Sequence, residues 1–523
     1  MAIEAGTYAE SIIDPLVPVT LVGRCAAQVR VNGVGGNQVA LYAYLTQGIV
    51  ARGLTLTGHV GAVYADSGGV TVEDSVLEGN VAVGVFAKNG SNVTVRRTRI
   101  SDVTVVAGGE LGAGVVCNTG STAVLEDVAV TGNGHRGLAV GGAGSTLLLR
   151  HSYVGRQRRA PVSETAAAVL ATDGAELELD GTVVVDNDGN GVDVTGAVAK
   201  VSRSVVRRSH GTLAGNDGIG VYAAEQATVT MTDSTVGENP VLNVYADGAG
   251  TEVMATDSTF RGSASLMGVE IGRGAQVSGG AALYATRVAV AGVASAGLAF
   301  QTGSFGRLSQ VAISGVSEIA WPNPTYLYGG FGLLSEDGSH VDATEVTVEA
   351  ATLSAYEVGQ DATLTLDRVL SRDMKQSTAS GNGTGTQVSR SATLSANRAF
   401  FLTSRSNGVV VASGGVAELT DSTVADTLAS DGGGFGNAIS LFGKGRLTRP
   451  TPGSRTTRRS SGRASCPCRR CEPGRSQWYS KAPRSHWPSE PRCMPSGSRS
   501  KDWPVSAGSA WPELIAEAPA RKW

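Results

Sequence analysis

The stretch at residues 220–260 reads GVYAAEQATVTMTDSTVGENPVLNVYADGAGTEVMATDSTF and contains the same short phrase twice. Asp233-Ser234-Thr235-Val236 returns as Asp257-Ser258-Thr259-Phe260, after a segment in which polar and apolar residues alternate. Alternation with a period of two, bounded by Gly, Asn and Asp, is typical of short β-strands joined by turns. This stretch therefore predicts a repeated unit that is built from strands.

The same unit extends through most of the chain. Further copies of the phrase begin at Asp74 and Asp421, and a Gly-Val phrase such as Gly84-Val85 precedes the copies by about 13 residues. Degenerate copies begin at Arg97, Asp127, His151, Asp180 and Arg203. A unit of three short strands buries its apolar side chains only when it stacks on its neighbours as successive coils. Because successive coils run in the same direction, the predicted sheets are parallel.

The composition agrees with a chain that turns every few residues around a thin aliphatic core. Gly contributes 71 of the 523 residues, about twice its usual share of roughly 7%. Aromatic residues make up only 5% of the chain and charged residues 17%. The absence of a strict Gly period excludes collagen, and the absence of a long apolar run excludes a membrane-spanning helix.

The repeat resembles the right-handed parallel β-helix of the pectin lyase-like superfamily over residues 1–445. The opening phrase Glu4–Glu10 and the following Pro18–Gly23 look like the first coils of such proteins. The chain opens inside a strand and turn and lacks a signal peptide, so an N-terminal cap is expected to be missing. The resemblance implies an all-β solenoid of about 17 coils, stacked about 4.8 Å apart.

Residues 446–523 have a different composition and are predicted to be a disordered tail. They hold 16 Lys and Arg against 5 Asp and Glu, which leaves 27 basic and 41 acidic residues in the body. Three interpretations stay open. The favoured one is a shifted reading frame; the others are a basic tail that binds nucleic acid or an acidic surface, and a zinc site. The zinc ligands would be Cys466, Cys468, Cys471, Cys493 and His486.

Two columns of residues, each with one member per coil, are predicted to be structural. The first residues of the repeated phrase should form an exposed salt ladder along the coils: Asp74, Arg97, Asp127, His151, Asp180, Arg203, Asp233 and Asp257. Asn residues four positions before the Gly-Val phrase should form a buried amide ladder: Asn80, Asn133, Asn187, Asn216 and Asn239.

Every second coil carries extra residues at one turn, approximately at 101–113, 155–166 and 207–219. These segments should project from one edge of the coils, where a ligand or partner would bind. The candidate binding residues there are Arg156, Arg158 and Arg159. A second candidate group interrupts the repeat and offers aromatic rings for stacking on a sugar or a protein: Trp321, Tyr326 and Tyr328. Solvated loops, or aromatic rings that pack on the coils, are the structural alternatives.

A search for known chemistry identifies no catalytic residue, metal site or cofactor. Superfamily hydrolases carry phrases such as Gly-His-Gly, but Gly134-His135-Arg136 lacks the second Gly. Superfamily lyases often carry Arg-x-Pro-x-x-Arg, but the segment from Arg159 to Glu164 ends in an acid. The segment from Asp186 to Asp193 resembles a calcium loop without its terminal Glu.

The sequence therefore favours a non-enzymatic, secreted or cell-surface β-helix used for adhesion, display, or binding of a carbohydrate or protein. The alternative is a carbohydrate-active enzyme, a polysaccharide lyase or glycoside hydrolase, whose active site is not recognised. The expected partners are a polysaccharide or a surface protein. We expect no nucleic-acid partner for the body, no membrane span, and a monomer. The extracellular location is implied by the resemblance alone.

Overall fold

A computed structural model describes residues 1–448, except 14, 16, 34–37, 46, 107–110, 160–166, 212–217, 264–271, 321–326, 379 and 432–435. Within these residues every regular element is a β-strand. The strands form three parallel sheets, here named A, B and C, of 18, 17 and 17 strands. This arrangement confirms the predicted parallel β-helix and its number of coils. The first three residues of the predicted disordered tail, Arg446–Thr448, instead form a strand of sheet A that pairs with Val416–Thr420, so the predicted start of the tail was wrong. Residues 449–523 lie outside the described residues.

Each coil contributes one strand to each sheet, in the order A, B, C. The strands of sheet A are Ala2–Ile3, Val19–Gly23, Gln47–Arg52, Gly69–Glu73, Asn92–Arg96, Thr122–Glu126, Thr146–Arg150, Glu176–Asp180, Val198–Ser202, Thr228–Thr232, Glu252–Thr256, Ala282–Thr286, Phe305–Ser309, His340–Thr344, Thr363–Asp367, Thr393–Asn397, Val416–Thr420 and Arg446–Thr448.

Sheet B follows sheet A after a short turn. Its strands are Gly6–Tyr8, Val29–Asn32, Thr55–Thr57, Val76–Glu78, Arg99–Ser101, Ala129–Thr131, Tyr153–Gly155, Val183–Asp188, Val205–His210, Thr235–Gly237, Thr259–Arg261, Ala289–Ala291, Ala312–Ser314, Thr347–Glu349, Leu370–Arg372, Phe400–Leu402 and Thr423–Ala425.

Sheet C follows sheet B after a connection of variable length, here called the B–C segment. Its strands are Ile12–Ile13, Val39–Tyr44, Gly61–Asp66, Val83–Lys88, Ala113–Asn118, Arg136–Gly141, Ala167–Thr172, Asn190–Thr195, Ile219–Ala224, Leu242–Asp247, Arg273–Ser278, Ala296–Phe300, Phe331–Ser335, Ser354–Val358, Gly383–Val388, Ser406–Val411 and Asn437–Leu441. One B–C segment adds an antiparallel pair, Glu318–Ala320 with Leu327–Gly329.

The core is a single aliphatic cluster that runs through the stacked coils. In the strand Asn92–Arg96, Val93 and Val95 are buried while their neighbours are partly or fully exposed. Val93 pairs in register with Ala123 in the next coil, so each inward position stacks on its equivalent. The described residues include no helix, and therefore none of the length and hydropathy that crossing a membrane requires.

The repeated phrase begins at a turn residue with a left-handed backbone conformation. Asp74, Arg97 and Asp233 have φ values of 49°, 46° and 49°. Asp180 is an exception, because Gly181, with a φ of 58°, occupies the turn position in its coil. Asp180 instead pairs in register with Arg150 as the last residue of its strand. The prediction that aligned Asp180 with the other phrase starts was therefore wrong by one residue.

The Gly of the Gly-Val phrase is required by close contact between coils. A Cβ atom at Gly84 would lie 2.5 Å from the carbonyl oxygen of Gly114, and one at Gly114 would lie 2.6 Å from that of Gly137. The opposing atom belongs to the backbone of the next coil, so a side chain at these positions would force the coils apart. This contact explains why the phrase recurs with the period of the coil.

The buried amide ladder forms, although one of its predicted members is wrong. The Oδ1 atom of Asn133 accepts the backbone N–H of Val103 at 3.1 Å, and that of Asn239 accepts the N–H of Ser209 at 3.0 Å. Ser209, rather than Asn216, therefore occupies the position between Asn187 and Asn239. Asn216 itself lies outside the described residues.

A glutamine extends the same ladder. The Oε1 atom of Gln157 accepts both the backbone N–H of Asn133 at 3.1 Å and its side-chain Nδ2–H at 3.0 Å. The backbone N–H of Gln157 in turn donates to Oδ1 of Asn187 at 3.0 Å. Asn80 begins the amide series by accepting the N–H of His59 at 3.1 Å. These amides satisfy backbone groups that the turn removes from the sheets.

We predict that Ala350→Gly stabilises the protein. Ala350 has a φ of 57°, whereas the preceding coils carry Gly292 and Gly315 at the equivalent turn. A Cβ in the left-handed region costs about 1 kcal/mol, so denaturant unfolding should show a gain of about that size. The control, Ala343→Gly, lies in a buried strand position and should lose about 1 kcal/mol. A loss of stability in A350G would contradict the prediction.

Candidate functional site: a polar strip on sheet C

The outer face of sheet C carries a row of polar and aromatic side chains over six consecutive coils. Two adjacent columns supply the row, which we name the polar strip: Asp193, Tyr222, Tyr245, Asp247, Gln276, Ser278, Gln301 and Glu336. All except the buried Ser278 are half-buried. Their outward direction follows from strand alternation, since the flanking residues Val221, Ala223 and Val244 face the core.

Two tyrosines form the aromatic part of the strip. The ring centroids of Tyr222 and Tyr245 lie 5.6 Å apart, and the rings pack beside an apolar cluster of Ile219, Val241 and Leu242. Burial, followed by the charge of Asp193, raises the pKa of Tyr222. Both hydroxyls therefore stay protonated in the physiological range, since burial also raises the pKa of Tyr245.

The Tyr245 hydroxyl begins a chain of hydrogen bonds along the strip. It lies 3.1 Å from Oγ of Ser278, and that hydroxyl donates to Oδ1 of Asp247 at 2.6 Å. Two coils earlier, Asp193 accepts hydrogen bonds from Thr195 at 3.0 Å and from Asn190 at 3.4 Å. The carboxylates are thereby held in fixed positions on the face of the sheet.

A buried arginine joins the next two coils. The Nη1 group of Arg273 donates to Oε1 of Gln276 and to Oε1 of Gln301, each at 3.0 Å. The Nε2 group of Gln301 then donates to Oε2 of Glu336 at 3.4 Å. Because the guanidinium engages both amide oxygens, it orients the two glutamines and leaves their amide N–H groups to face outward or along the row.

Glu357 lies in the coil that follows the polar strip. Unlike the acidic residues of the strip, it is buried. Its Oε1 atom accepts a hydrogen bond from Nε2 of Gln387 at 2.9 Å, while the buried Oε2 atom has no hydrogen-bond partner. Burial, followed by the charge of Glu336, raises the pKa of Glu357 to about 8. At neutral pH the carboxyl of Glu357 is therefore mostly protonated.

The predicted binding residues lie in B–C segments, which lead into sheet C. Arg156 and Arg158 are exposed, and Arg158 lies 3.9 Å from Asp102, which belongs to the coil two before it. Arg159 is half-buried. Trp321 and Tyr326 lie outside the described residues, and Tyr328 is described only as part of the backbone strand Leu327–Gly329.

Two of the ion pairs expected of the predicted salt ladder form, and a third joins one ladder residue to an arginine that was not among its predicted members. Arg97 Nε lies 2.7 Å from Asp74, which lowers the pKa of that carboxyl, and Arg203 pairs with Asp180. Asp257 pairs with Arg287 at 2.5 Å. The other phrase-start residues, Asp127, His151 and Asp233, are turn residues of the same column.

The calcium-like loop at Asp186 is occupied by a cation of the chain itself. Arg208 binds Asp186 through two hydrogen bonds, of 2.5 Å and 3.0 Å, and also reaches Glu238 at 3.3 Å. The guanidinium lowers the pKa of the Asp186 carboxyl. Among the residues that the structure describes, no group of three or more His, Cys, Asp or Glu side chains is arranged to hold a metal ion.

Comparison with protein families agrees with the fold. The family described as right handed beta helix region matches residues 25–154 and 111–265. No curated protein matches the sequence. Among solved structures, the pectate lyase Pel9A is 13% identical, with a TM-score of 0.32 over 52% of this chain and 68% of that chain.

Two further solved structures cover more of this chain. A mannuronic acid specific polysaccharide family 6 lyase from human gut microbiota is 11% identical, with a TM-score of 0.30 over 84% of this chain and 85% of that chain. The catalytic domain of a GH87 alpha-1,3-glucanase in complex with tetrasaccharides is 12% identical, with a TM-score of 0.25. That match covers 84% of this chain and 63% of the glucanase domain.

Proposed function

We propose that this chain, a right-handed parallel β-helix, is a non-catalytic protein that binds a neutral polysaccharide along the polar strip. The observation that carries the proposal is the row itself, in which six consecutive coils present hydrogen-bonding groups and two tyrosine rings. The coils repeat about every 4.8 Å, so the strip extends over about 24 Å. A long row of alternating donors and acceptors suits an extended polymer of hydroxylated rings better than a single small ligand.

The charge of the strip favours a neutral polymer. Asp193, Asp247 and Glu336 are acidic, whereas the basic Arg273 is buried and hydrogen-bonded to two glutamines. A polymer of uronic acids would bring further carboxylates against these three, and like charges placed together oppose binding. Neutral hydroxyls can instead donate to the carboxylates and accept from amide N–H groups.

From the family resemblance we propose that the protein is secreted or lies at the cell surface, and that it is used for adhesion or display. Arg156, Arg158 and Arg159 and the aromatic group Trp321, Tyr326 and Tyr328 belong to B–C segments that lead into sheet C. We therefore retain them as additional proposed binding residues. Residues 449–523, the predicted tail without its three strand residues, are proposed to be a disordered basic segment, with a shifted reading frame as its favoured origin.

A second candidate function is hydrolysis of the bound polymer, and one observation favours it. Glu357 and Glu336 lie in adjacent coils of sheet C, and the first keeps its proton at neutral pH while the second accepts a hydrogen bond from Gln301. A protonated carboxyl group close to a second carboxyl group is the arrangement of acid and base in many glycoside hydrolases. The Glu357 side chain would have to turn outward to reach a substrate, because Oε2 is buried.

The test is retention of the purified chain by polysaccharides. We expect binding to insoluble cellulose or α-1,3-glucan, and weaker binding to alginate and pectate in affinity gels. Tyr222→Ala should weaken binding to the neutral polymer about tenfold, since a well-packed aromatic contact contributes about 1.4 kcal/mol. Tyr153→Ala, a half-buried tyrosine of sheet B, is the matched control and should bind normally.

Two outcomes would change the conclusion. Retention by none of the four polymers, or tighter binding of alginate and pectate, would contradict the proposed function. Release of reducing sugars by the wild type, abolished in Glu357→Gln while binding is kept, would establish the hydrolase instead.

A further inference from the structure

A second group of aromatic side chains lies on sheet A, on a different face of the coil from the polar strip. Tyr284, Phe305 and His340 occupy three consecutive coils. The ring centroids of Tyr284 and Phe305 lie 5.9 Å apart, and those of Phe305 and His340 lie 5.8 Å apart with an interplanar angle of 20°. Together with Arg307 and Asp342 we name this group the aromatic platform.

The platform faces solvent. Tyr284 and Phe305 are half-buried, and Arg307 and His340 are exposed. Short turns lead into and out of sheet A in these coils, as between Ser278 and Ala282 and between Thr286 and Ala289. The long B–C segments join the other two sheets, so the chain connections that adjoin the platform are all short.

Charged groups of both signs surround the rings. The guanidinium carbon of Arg307 lies 5.8 Å from the ring centroid of Phe305, and Nε2 of His340 lies 3.4 Å from Oδ1 of Asp342. In sheet A the same outward positions hold Thr94 and Thr230 in earlier coils and Thr365 in a later one. Other coils place Val124, Leu148, Lys200 and Met254 there. No other described strand of sheet A carries an aromatic ring, so the three rings are a local feature of this sheet.

This combination indicates the chemistry of a ligand. The faces of aromatic rings carry partial negative charge, which suits the C–H groups on one face of a pyranose ring. Arg307 is a planar donor and Asp342 an acceptor, so both can bind neighbouring hydroxyls. An ionic ligand is disfavoured, because either sign of charge would meet a like charge on the platform. A protein partner is disfavoured as well, since a protein interface buries about 800 Å² on each partner and two rings offer much less apolar area.

We propose that the aromatic platform is a second carbohydrate-binding site, which stacks a pyranose ring of a neutral polysaccharide on Phe305. The ligand class rests on the proposed function, whereas the site is separate from the polar strip. Two sites on different sheets would let one chain hold two polymer strands, or two parts of one strand, with a gain in avidity.

The experiment is calorimetric titration of the full chain with cellohexaose and with the α-1,3-glucan hexasaccharide. We expect two sites per chain for at least one probe. Phe305→Ala and Tyr222→Ala should each remove one site and leave the other, whereas Phe305→Tyr should keep both. Phe400→Ala, which truncates an exposed phenylalanine of sheet B, is the matched control and should keep both sites.

The outcomes separate the two proposals. One site per chain, lost in Tyr222→Ala and unchanged in Phe305→Ala, would overturn the platform and leave the strip. Binding of neither probe would contradict both. Self-association of the wild type that Phe305→Ala abolishes, without any change in titration, would identify a second copy of the chain as the occupant. Arg307→Ala, an exposed change, serves as the second variant if Phe305→Ala fails to fold.

Discussion

Replacing Glu357 by glutamine should stabilise the protein at pH 7 by about 3 kcal/mol, because the buried carboxyl keeps a proton that the unfolded chain releases. The ordinary pKa of a glutamate is 4.5, and in the folded protein the pKa of Glu357 is raised to about 8. Between pH 4.5 and about pH 8, the folded state therefore binds more protons than the unfolded state. The stability of the wild type must therefore fall as the pH rises through this window, by about 1.4 kcal/mol per pH unit.

The amide of Gln at position 357 is neutral at every pH, so the variant should lack this loss. Its amide oxygen can accept the same hydrogen bond from Gln387, whose Nε2 lies 2.9 Å from Oε1 of Glu357. Urea unfolding at pH 4.5 should give similar stabilities for the two proteins. At pH 8 the variant should be the more stable by several kcal/mol.

The matched control is Glu418→Gln, which changes an exposed glutamate of sheet A. Surface changes of this kind are usually within about 0.5 kcal/mol, and the control should keep the pH dependence of the wild type. A variant E357Q whose stability falls with pH as steeply as that of the wild type would show that another group titrates in this window.

The spacing of the repeat was enough to predict the coil, because each structural requirement recurs at one register position. Gln157 and Ser209 lie six residues after His151 and Arg203, as Asn80 lies six residues after Asp74. Counting from the turn would therefore have found both missed members of the amide ladder. Asn216 was instead counted back from the Gly-Val phrase, across a B–C segment whose length varies between coils.

The polar strip could not be predicted in the same way. Its members occupy the outward positions of sheet C, where the sequence shows no recurring residue type: Asp193, Tyr222, Tyr245 and Gln276 fill one column. No core contact or turn conformation constrains these positions, so their residue types do not recur with the period of the coil. Only the register of the strands brings them into a row.

Replacing Asn133 by valine should destabilise the protein by about 3 kcal/mol, since it leaves buried groups without partners. Val103 is 1% exposed, and its backbone N–H would lose Oδ1 of Asn133 as acceptor. The Oε1 atom of Gln157 would lose one of its two donors. In two other coils the same turn position is occupied by Val103 and Val293, so a valine side chain fits there. The change therefore tests the lost hydrogen bonds rather than a change in side-chain volume.

The matched control is Val316→Ala, at the same turn position in a coil where the ladder is aliphatic and buried. It creates a cavity without removing a hydrogen bond and should cost about 2 kcal/mol. Loss of hydrogen bonds differs from loss of packing because it couples Asn133 energetically to Gln157. In the double variant Asn133→Val with Gln157→Leu, the cost should be less than the sum of the single costs, because both changes remove the same bonds. Strict additivity would mean that the amides act independently, and that the ladder stabilises the coils through packing alone.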